Sequence, residues 1–454
     1  MSAIRPALDL AGTTLVVGLG KSGLSMVRAL HRLGAERVIV TDSRAEPPGL
    51  AEVRAEFPGL ECHLGGFAAA PFAKASRILL SPGVAAATPV IRDAAARGVP
   101  VWGDIELFAR LTTAPVVAIT GANGKSTVTT LVGEMARCAG VRVAVGGNLG
   151  TPALELGCAR PDAELYVLEL SSFQLETTHS LAARAATVLN ISPDHMDRYP
   201  SVWAYAEAKR RIFHGGGVMV LNRDDALVVA MAEHGREQRW FGLQAPRDER
   251  DYGLLRDAGR IWLARGGERL LAADELRIGG EHNLANALAA LALGEAAGLP
   301  RAAMTEALRG FPGLPHRCQL VGEGSGVRWY DDSKGTNVGA TVAAVRGLPG
   351  PLLLIAGGDG KGQDFAPLAE ALGDKVKAVI LIGRDAPLIE RAVAGRVASH
   401  RAADLDAAVE LAARLAVAGD SVLLSPACAS FDMFRNYEER GRVFAAAVAR
   451  VMAC

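Results

Sequence analysis

Residues 115 to 130, Pro115-Val-Val-Ala-Ile-Thr-Gly121-Ala-Asn-Gly124-Lys125-Ser126-Thr127-Val-Thr-Thr130, set a short apolar run, a glycine turn, a Lys-Ser-Thr triplet and a helical pattern in immediate succession. This order predicts a strand, a phosphate-binding loop and a helix. Gly121 and Gly124 let the backbone curl so that N–H groups point inward, and the following helix aims its positive end at the same place. Lys125 is expected to reach the outer phosphates, and the Ser126 hydroxyl to hold a magnesium ion. The spacing Gly-x-x-Gly-Lys-Ser is two residues shorter than the general P-loop pattern. A Gly-Lys-Ser triplet alone is most often just a turn before a helix, so the flanking strand and helix carry the reading.

Working outward, the chain has 454 residues, too many for one ordinary core, and about 150 residues per domain implies three. Lys plus Arg and Asp plus Glu balance at 49 each, which removes the broad basic surface expected of a nucleic-acid or membrane-surface binder. The longest stretch without Asp, Glu, Lys or Arg is 14 residues, short of the roughly 18 that a spanning helix needs. The start runs through Arg5 and Asp9 without a signal-peptide layout. Six scattered cysteines (62, 138, 158, 318, 428, 454) form no CxxC pair, which suits reduced thiols that pack.

Before the central loop, Thr14-Leu-Val-Val17 runs into Gly18-Leu-Gly-Lys21-Ser22-Gly23, a helix to about Leu33, and a strand 37–41 ending at Asp42. This GxGxxG start predicts a diphosphate over a helix N-terminus and a hydroxyl acceptor at Asp42, as in a dinucleotide-binding fold. Alone it suggests an NAD-dependent dehydrogenase, but a UDP-sugar carries the same two features. Strands near 77–80 and 99–102, with Ser81-Pro-Gly83 between them, complete a doubly wound unit ending near residue 103.

After the loop come strands at 141–145 and 163–170, each followed by polar residues: Gly146-Gly-Asn148 and Ser171-Ser-Phe-Gln174. Glu169 closes an otherwise apolar strand, either as an edge carboxylate facing solvent or, as the phosphate loop favours, as a magnesium-holding acid. The strand 186–190 leads into Asp194-His195-Met-Asp197-Arg198-Tyr199, expected to share the rim of the phosphate loop; alone, His195 reads as a structural histidine. In the next helix, 201 to about 214, Lys209 falls on the apolar stripe of Val202, Tyr205 and Ile212. It either snorkels or lies buried with a partner or a chemical change. Residues 215 to 278 read as a strand-containing, glycine-rich excursion. Asn283 and Asn286 then share one face of an alanine-rich helix, placed to read a base edge or simply to cap.

From residue 314 a second alternating series predicts strands at 327–330, 351–356, 377–382 and 421–424. Polar segments follow each: Asp331-Asp332-Ser-Lys334-Gly-Thr336-Asn337, Gly357-Gly-Asp-Gly-Lys361-Gly, Gly383-Arg384 and Ser425-Pro-Ala-Cys-Ala-Ser430-Phe-Asp-Met-Phe434. Four polar strand ends at one edge form a binding face for an anionic small molecule, with Arg317, Lys334 and Lys361 to neutralise it.

Together AITGANGKSTVTTL, GGNLGTPAL, LELSSFQLE, DHMDRY, HNLANALAALAL, LPHRCQ, DDSKGTNVGAT, GGDGKG and LLSPACASFDMF closely resemble the Mur ligases over essentially the whole chain. The short loop spacing is that family's own form. The resemblance implies an α/β protein of three domains: a Rossmann-like UDP-substrate domain (1–103), a central P-loop ATPase-type domain (104–313) and a Rossmann-like amino-acid domain (314–454). It implies ATP-dependent addition of D-glutamate to UDP-N-acetylmuramoyl-L-alanine through an acyl phosphate, in cytoplasmic peptidoglycan precursor synthesis and hence cell-wall biogenesis, cell shape and division. The protein is expected to be a monomer, without nucleic-acid partners or membrane insertion. A sister ligase or a folylpolyglutamate-synthase-like enzyme adding another amino acid is the alternative.

Residue by residue, the resemblance puts ATP on Gly121, Asn123, Gly124, Lys125, Ser126, Thr127, Asn283, Asn286, Arg317 and Asp332. Two magnesium ions fall to Ser126, Glu169, His195 and Lys209, the last as a carbamate. Lys21, Ser22, Asp42, Ser43, Arg44, Gly83 and Asn148 face the UDP substrate, while Thr336, Lys361, Ser430 and Tyr437 face glutamate. Lys125, His195, Lys209 and Lys334 carry catalysis. ATP and acceptor contacts spread over two domains imply closure of the C-terminal domain before chemistry.

Overall fold

Near-continuous apolar runs of four to seven residues alternate with helical patterns, a combination that folds as parallel strands covered on both faces. The computed structural model describes residues 8–348 and 350–453, so Arg5 and Cys454 lie outside the described residues. Contacts divide the chain into two units: residues 1–190, 203–271 and 287–308 in one, and 191–202, 272–286 and 309–454 in the other.

The first unit holds two sheets. β1 (Thr13–Val17), β2 (Arg37–Asp42), β3 (Glu61–Leu64), β4 (Arg77–Leu80) and β5 (Val101–Trp102) lie in the order β3-β2-β1-β4-β5, all parallel. Leu15, Val17, Ile39, Ile78 and Leu80 pack against Phe72 and Ile91 to form its core. The second sheet contains β6 (Val116–Thr120), β7 (Val143–Gly147), β8 (Leu165–Glu169), β9 (Ala185–Val188), β10 (Val218–Asn222), β11 (Gln238–Phe241), β12 (Tyr252–Asp257), β13 (Arg260–Arg265) and β14 (Glu268–Ala272). Their order is β14-β13-β12-β11-β10-β9-β6-β8-β7, with β12 and β13 antiparallel. The stretch expected as an excursion after residue 215 is therefore an extension of the central sheet.

The second unit holds β15 (Gln319–Gly324), β16 (Val327–Asp331), β17 (Leu352–Gly357), β18 (Val376–Ile382), β19 (Ala398–Arg401) and β20 (Ser421–Leu424), ordered β15-β16-β20-β17-β18-β19. Along β17, Leu352, Leu354 and Ala356 enter one core and Leu353 and Ile355 the other, so the strand is buried on both faces. Adjacent β16, β20, β17 and β18 are mutually parallel, and their carboxyl ends fall at one edge.

Several expectations need correction. β5 begins at Val101 rather than residue 99, and the helix expected over 201 to 214 ends at Arg210 and tightens into a 3-10 turn, Arg211–Phe213. β3, β15 and β19 escaped notice because half-exposed edge strands carry a weak apolar signal. Packing suits Cys428, buried in a core cluster, and Cys318, which packs against it, whereas Cys138 and Cys158 are exposed; the five described cysteines are free thiols.

Candidate active site

The phosphate loop leaves β6 at Thr120 and enters the Lys125–Cys138 helix. Gly124 caps that helix with φ of 82°, a left-handed conformation that favours glycine, and a Cβ at Gly121 would lie 3.0 Å from the Leu189 Cβ. The loop is sewn to the end of β9 by Asn190. Its Oδ1 accepts from the Asn123 N–H (2.8 Å), its Nδ2 donates to the Asn123 carbonyl (3.1 Å), and its carbonyl accepts from the Ala122 N–H (2.9 Å). Sequence reasoning assigned Asn190 no part in the loop, although its place at a strand end beside the loop was the available signal.

Ser126 and Thr127 are buried in the first helical turn, and Lys125 Nζ folds back to donate to the carbonyls of Gly121 (2.9 Å) and Ala122 (3.0 Å). Lys209 is 1% exposed, so it does not snorkel. Its Nζ donates to the same Gly121 carbonyl (2.9 Å) and to Thr120 Oγ1 (3.2 Å), and lies 4.6 Å from the Tyr205 ring centre. Two ammonium groups thus converge on one carbonyl oxygen. Like charges so close disfavour one another.

A buried carboxylate stands on the next strand. Glu169, in register beside Ile119, is 3% exposed and accepts from Asn148 Nδ2 at 2.6 Å, while the Asn148 N–H donates to the Glu169 carbonyl at 2.8 Å. It is not an edge carboxylate facing solvent. Among the described residues no three His, Cys, Asp or Glu side chains converge as a ready metal cage. A buried hydroxyl, a buried carboxylate and a phosphate-binding loop are the oxygen donors that suit magnesium, which binds through one or two carboxylates and substrate phosphates rather than in an all-protein cage.

In the first sheet, Gly18 to Gly23 turns between β1 and the Lys21–Arg32 helix, and a Cβ at Gly23 would lie 2.0 Å from the Gly18 carbonyl. Asp42 is 2% exposed and accepts from the Leu19 N–H (2.7 Å), the Arg44 N–H (2.9 Å) and the Arg44 guanidinium (2.8 and 2.9 Å). Burial pushes its carboxyl up, but these bonds hold it below the usual carboxylate range. Its work here is to fix the glycine loop and Arg44. Lys21, Ser43 and Gly83 stay exposed, while Ser22 is half-buried.

The second unit gathers most of the other expected residues on its strand ends. Asp332 accepts from Ser425 Oγ (2.6 Å) and the Cys318 N–H (3.2 Å), and burial pushes its carboxyl up to about 7. Lys334 Nζ sits 3.9 Å above the Tyr437 ring, whose edge meets His316. His316 Nδ1 is 2.6 Å from Asp331 Oδ2. Thr336 follows in a tight turn, its N–H donating to the Lys334 carbonyl at 2.8 Å. Arg317 lies between His316 and Cys318, and Ser430 is buried after β20.

Lys361 Nζ donates to Asp194 Oδ1 (2.7 Å), and Asn337 Nδ2 to Asp194 Oδ2 (3.3 Å). The neighbouring His195 backbone N–H also donates to Asp194 (2.9 Å), which brings His195 to the Lys361 cluster. Neither Asn283 nor Asn286 accepts a capping bond from the helix backbone: Asn283 Nδ2 donates to the Gly279 carbonyl (2.8 Å) and Asn286 Nδ2 to Asn283 Oδ1 (3.2 Å).

Two organising residues here had no assigned role from sequence. Asp194 could have been found from its place in the His195 motif. Arg440, 1% exposed, donates to the Ser333 carbonyl (2.8 Å), Ser333 Oγ (3.0 Å) and the Cys428 carbonyl (3.1 Å), tying the ends of β16 and β20 together. Nothing in the local pattern announced it. Five non-glycine residues on these loops, His195, His316, Cys318, Lys361 and Ala427, hold φ between 44° and 62°.

Comparison with known proteins now has a geometry to meet. The MurD-like N-terminal domain of Mur ligases matches residues 12–103, the Mur ligase middle domain residues 119–294, and the Mur ligase glutamate ligase domain residues 316–428. The chain belongs to the Mur ligase family. It is similar to the UDP-N-acetylmuramoylalanine–D-glutamate ligase of Nitrosococcus oceani, 56% identical over 98% of both chains. The ligase of the same name from Methylobacillus flagellatus is 57% identical over 96% of both. Among solved structures, a pseudomurein peptide ligase type C from Methanothermus fervidus shares the fold, with a TM-score of 0.59 at 19% identity over 91% of this Mur ligase and 96% of that chain. Among the described residues no helix is long and apolar enough to cross a membrane.

Proposed function

We propose that this Mur ligase joins D-glutamate to UDP-N-acetylmuramoyl-L-alanine in an ATP-dependent amide ligation, a cytoplasmic step of peptidoglycan precursor synthesis. The near-full-length likeness to ligases of that name supports the choice of substrates. The observation that carries the chemistry is the set of half-buried Lys125 with buried Lys209, Ser126 and Glu169 around one phosphate loop.

A carboxylate oxygen is a poor leaving group, so amide formation in water needs activation. The alanyl carboxylate attacks the γ-phosphate of ATP, giving an acyl phosphate and ADP. The glutamate amine then attacks the acyl carbon, forming a tetrahedral intermediate that expels phosphate. Lys125 and the loop N–H groups stabilise charge on the transferring phosphoryl group. Ser126 and Glu169 would hold magnesium, and His195 with a carbamylated Lys209 would be the ligands of a second ion; the metal would supply further charge neutralisation. Carbamylation would turn the buried Lys209 cation into an oxygen ligand. No covalent enzyme intermediate is required, and positioning does the remaining work.

Residues 1–103 take the UDP substrate, through Ser22, Arg44 and Gly83 with Lys21, Asp42 and Ser43, and Asn148 meets its muramoyl end. Residues 104–313 take ATP on Gly121 to Thr127 and on Asn283 and Asn286, assisted by Arg317 and Asp332. Residues 314–454 hold glutamate on Thr336, Lys361, Ser430 and Tyr437, with Lys334 neutralising the reacting groups. The enzyme works as a monomer whose C-terminal domain closes on nucleotide. Scattering curves that superimpose with and without nucleotide and UDP substrate would remove the closure step.

Phosphate release with the UDP-muramoyl-alanine acceptor and a panel of amino acids tests the whole reading. D-Glutamate alone should support turnover. Preference for another amino acid would move the enzyme to a sister activity, and no turnover with any would end the ligase assignment. Protein prepared in carbon-dioxide-free buffer should lose activity and regain it with bicarbonate; insensitivity would remove the carbamate.

A further inference from the structure

The helix Asp104–Leu111 begins with two carboxylates, Asp104 and Glu106, in its first turn. Exposed, they would suit a helix N-terminus, but here both are buried, at 1% and 0% exposure. Burying a carboxylate costs far more than the helix end returns, so each must be met by directed donors. Glu106 accepts from the N–H groups of His179 (2.7 Å) and Ser180 (2.8 Å), the Ser180 hydroxyl (2.8 Å) and Arg110 Nε (2.7 Å). That fastens the helix to the segment after β8. Gly103 adds a close approach, since a Cβ there would lie 2.3 Å from Thr177 Oγ1.

Asp104 reaches in two directions. Its Oδ2 accepts from Gln174 Nε2 (2.9 Å) and its Oδ1 from the Ile105 N–H (3.0 Å), while the Asp104–Leu111 helix packs on the Lys21–Arg32 helix and the Ser22 hydroxyl favours the ionised carboxyl. Ser22 stands in the first turn after the glycine loop of the first sheet. Gln174 closes a capping box with Ser171, its Oε1 accepting from the Ser171 N–H at 3.0 Å, two residues beyond Glu169. A single buried carboxylate therefore links the glycine loop to the strand end that presents Glu169.

We infer that Asp104 is a positioning residue that holds the UDP-substrate loop in register with the Glu169 segment, so that the diphosphate end of the acceptor and the phosphoryl-transfer site are set on one frame. This rests on the proposed function for the identity of the ligand, and it assigns Asp104 no contact with substrate. Replacing the carboxylate by an amide sets a donor against the Gln174 amide, whereas exchanging the two groups restores an acceptor–donor pair with the same shape.

The experiment uses full-length wild type, Asp104→Asn, Gln174→Glu and the Asp104→Asn/Gln174→Glu double variant. It measures KM for the UDP acceptor and for ATP, acceptor binding by calorimetry, and thermal unfolding. Each single variant should weaken acceptor binding and raise its KM about tenfold, the span of one hydrogen bond to a charged group, with KM for ATP moved less than about twofold. The double variant should recover to within about threefold of wild type, an interaction that only coupled groups show. An unmoved acceptor KM in Asp104→Asn, equal losses for ATP and acceptor, or a double variant as impaired as the two singles combined would overturn the inference. Wild type that binds no UDP acceptor would overturn the proposed function as well, whereas wild-type binding with an unmoved Asp104→Asn would overturn this inference alone.

Discussion

The molecule writes the same phrase twice. Gly18-Leu-Gly-Lys21-Ser22 and Gly121-Ala-Asn-Gly124-Lys125-Ser126 both leave a central parallel strand, turn on glycine and open a helix with Lys-Ser. What differs is the surroundings. The first loop has an exposed Lys21 and an acidic neighbour, Asp42, already taken up by Arg44. The second has Lys125 turned onto its own carbonyls, a second buried lysine on the same oxygen, and Glu169 held by Asn148. In the proposed function a helix N-terminus offers phosphate a positive end in both, and only the second gathers the fixed charge that phosphoryl transfer calls for.

The largest expected contrast is therefore between the two lysines. Lys125→Ala should lower kcat about a thousandfold in the phosphate-release assay, whereas Lys21→Ala should cost less than about tenfold and act on the acceptor KM. Equal losses would break the distinction. Next come the two acids. Glu169→Gln should lower kcat on the order of a hundredfold and raise the magnesium concentration needed for half-maximal rate. Asp42→Asn should instead raise the acceptor KM and cost about 2 kcal/mol of stability at neutral pH in urea unfolding. The native Asp42 carboxyl titrates below its unfolded value, so its stabilisation is full above pH about 4 and is lost as pH falls through the native value. The gap between wild type and Asp42→Asn should close in acid; a gap that widens would refute the Arg44 pairing. Smallest is the glycine pair. Gly124→Ala, at φ of 82°, should destabilise by about 1 kcal/mol, while Gly20→Ala, at φ of −91° with nothing within 4 Å of its Cβ, should stay within about 0.5 kcal/mol by the same measurement.

Both loops were legible because glycine, lysine and serine at fixed offsets after apolar runs state a local geometry. The parallel series of the second unit was legible for the same reason, and its polar strand ends fall together where the alternation of strand and helix required. Lys209 was legible only as an anomaly: periodicity placed it on an apolar stripe, but its sharing of Gly121 with Lys125 depends on residues 84 apart in sequence. Asp104 and Arg440 were invisible for a related reason. A buried charge in a helix looks like any surface charge until its donors, far away in the chain, are known. The strands after residue 215 were lost because glycines and polar edge positions dilute a period-two pattern.

The left-handed, non-glycine residues His195, His316, Cys318, Lys361 and Ala427 on the second unit's site loops set a direction for anyone selecting heat-resistant forms of this Mur ligase. Each backbone of that kind costs about 1 kcal/mol relative to glycine, so a screen for melting temperature alone would favour glycine at His195, His316, Cys318, Lys361 and Ala427. Those are the loops that arrange the proposed acceptor groups, and the survivors would be robust and slow. Ala258 and Ser325 carry the same strain in the hairpin turns between β12 and β13 and between β15 and β16. Relaxing the fold there leaves the chemistry alone.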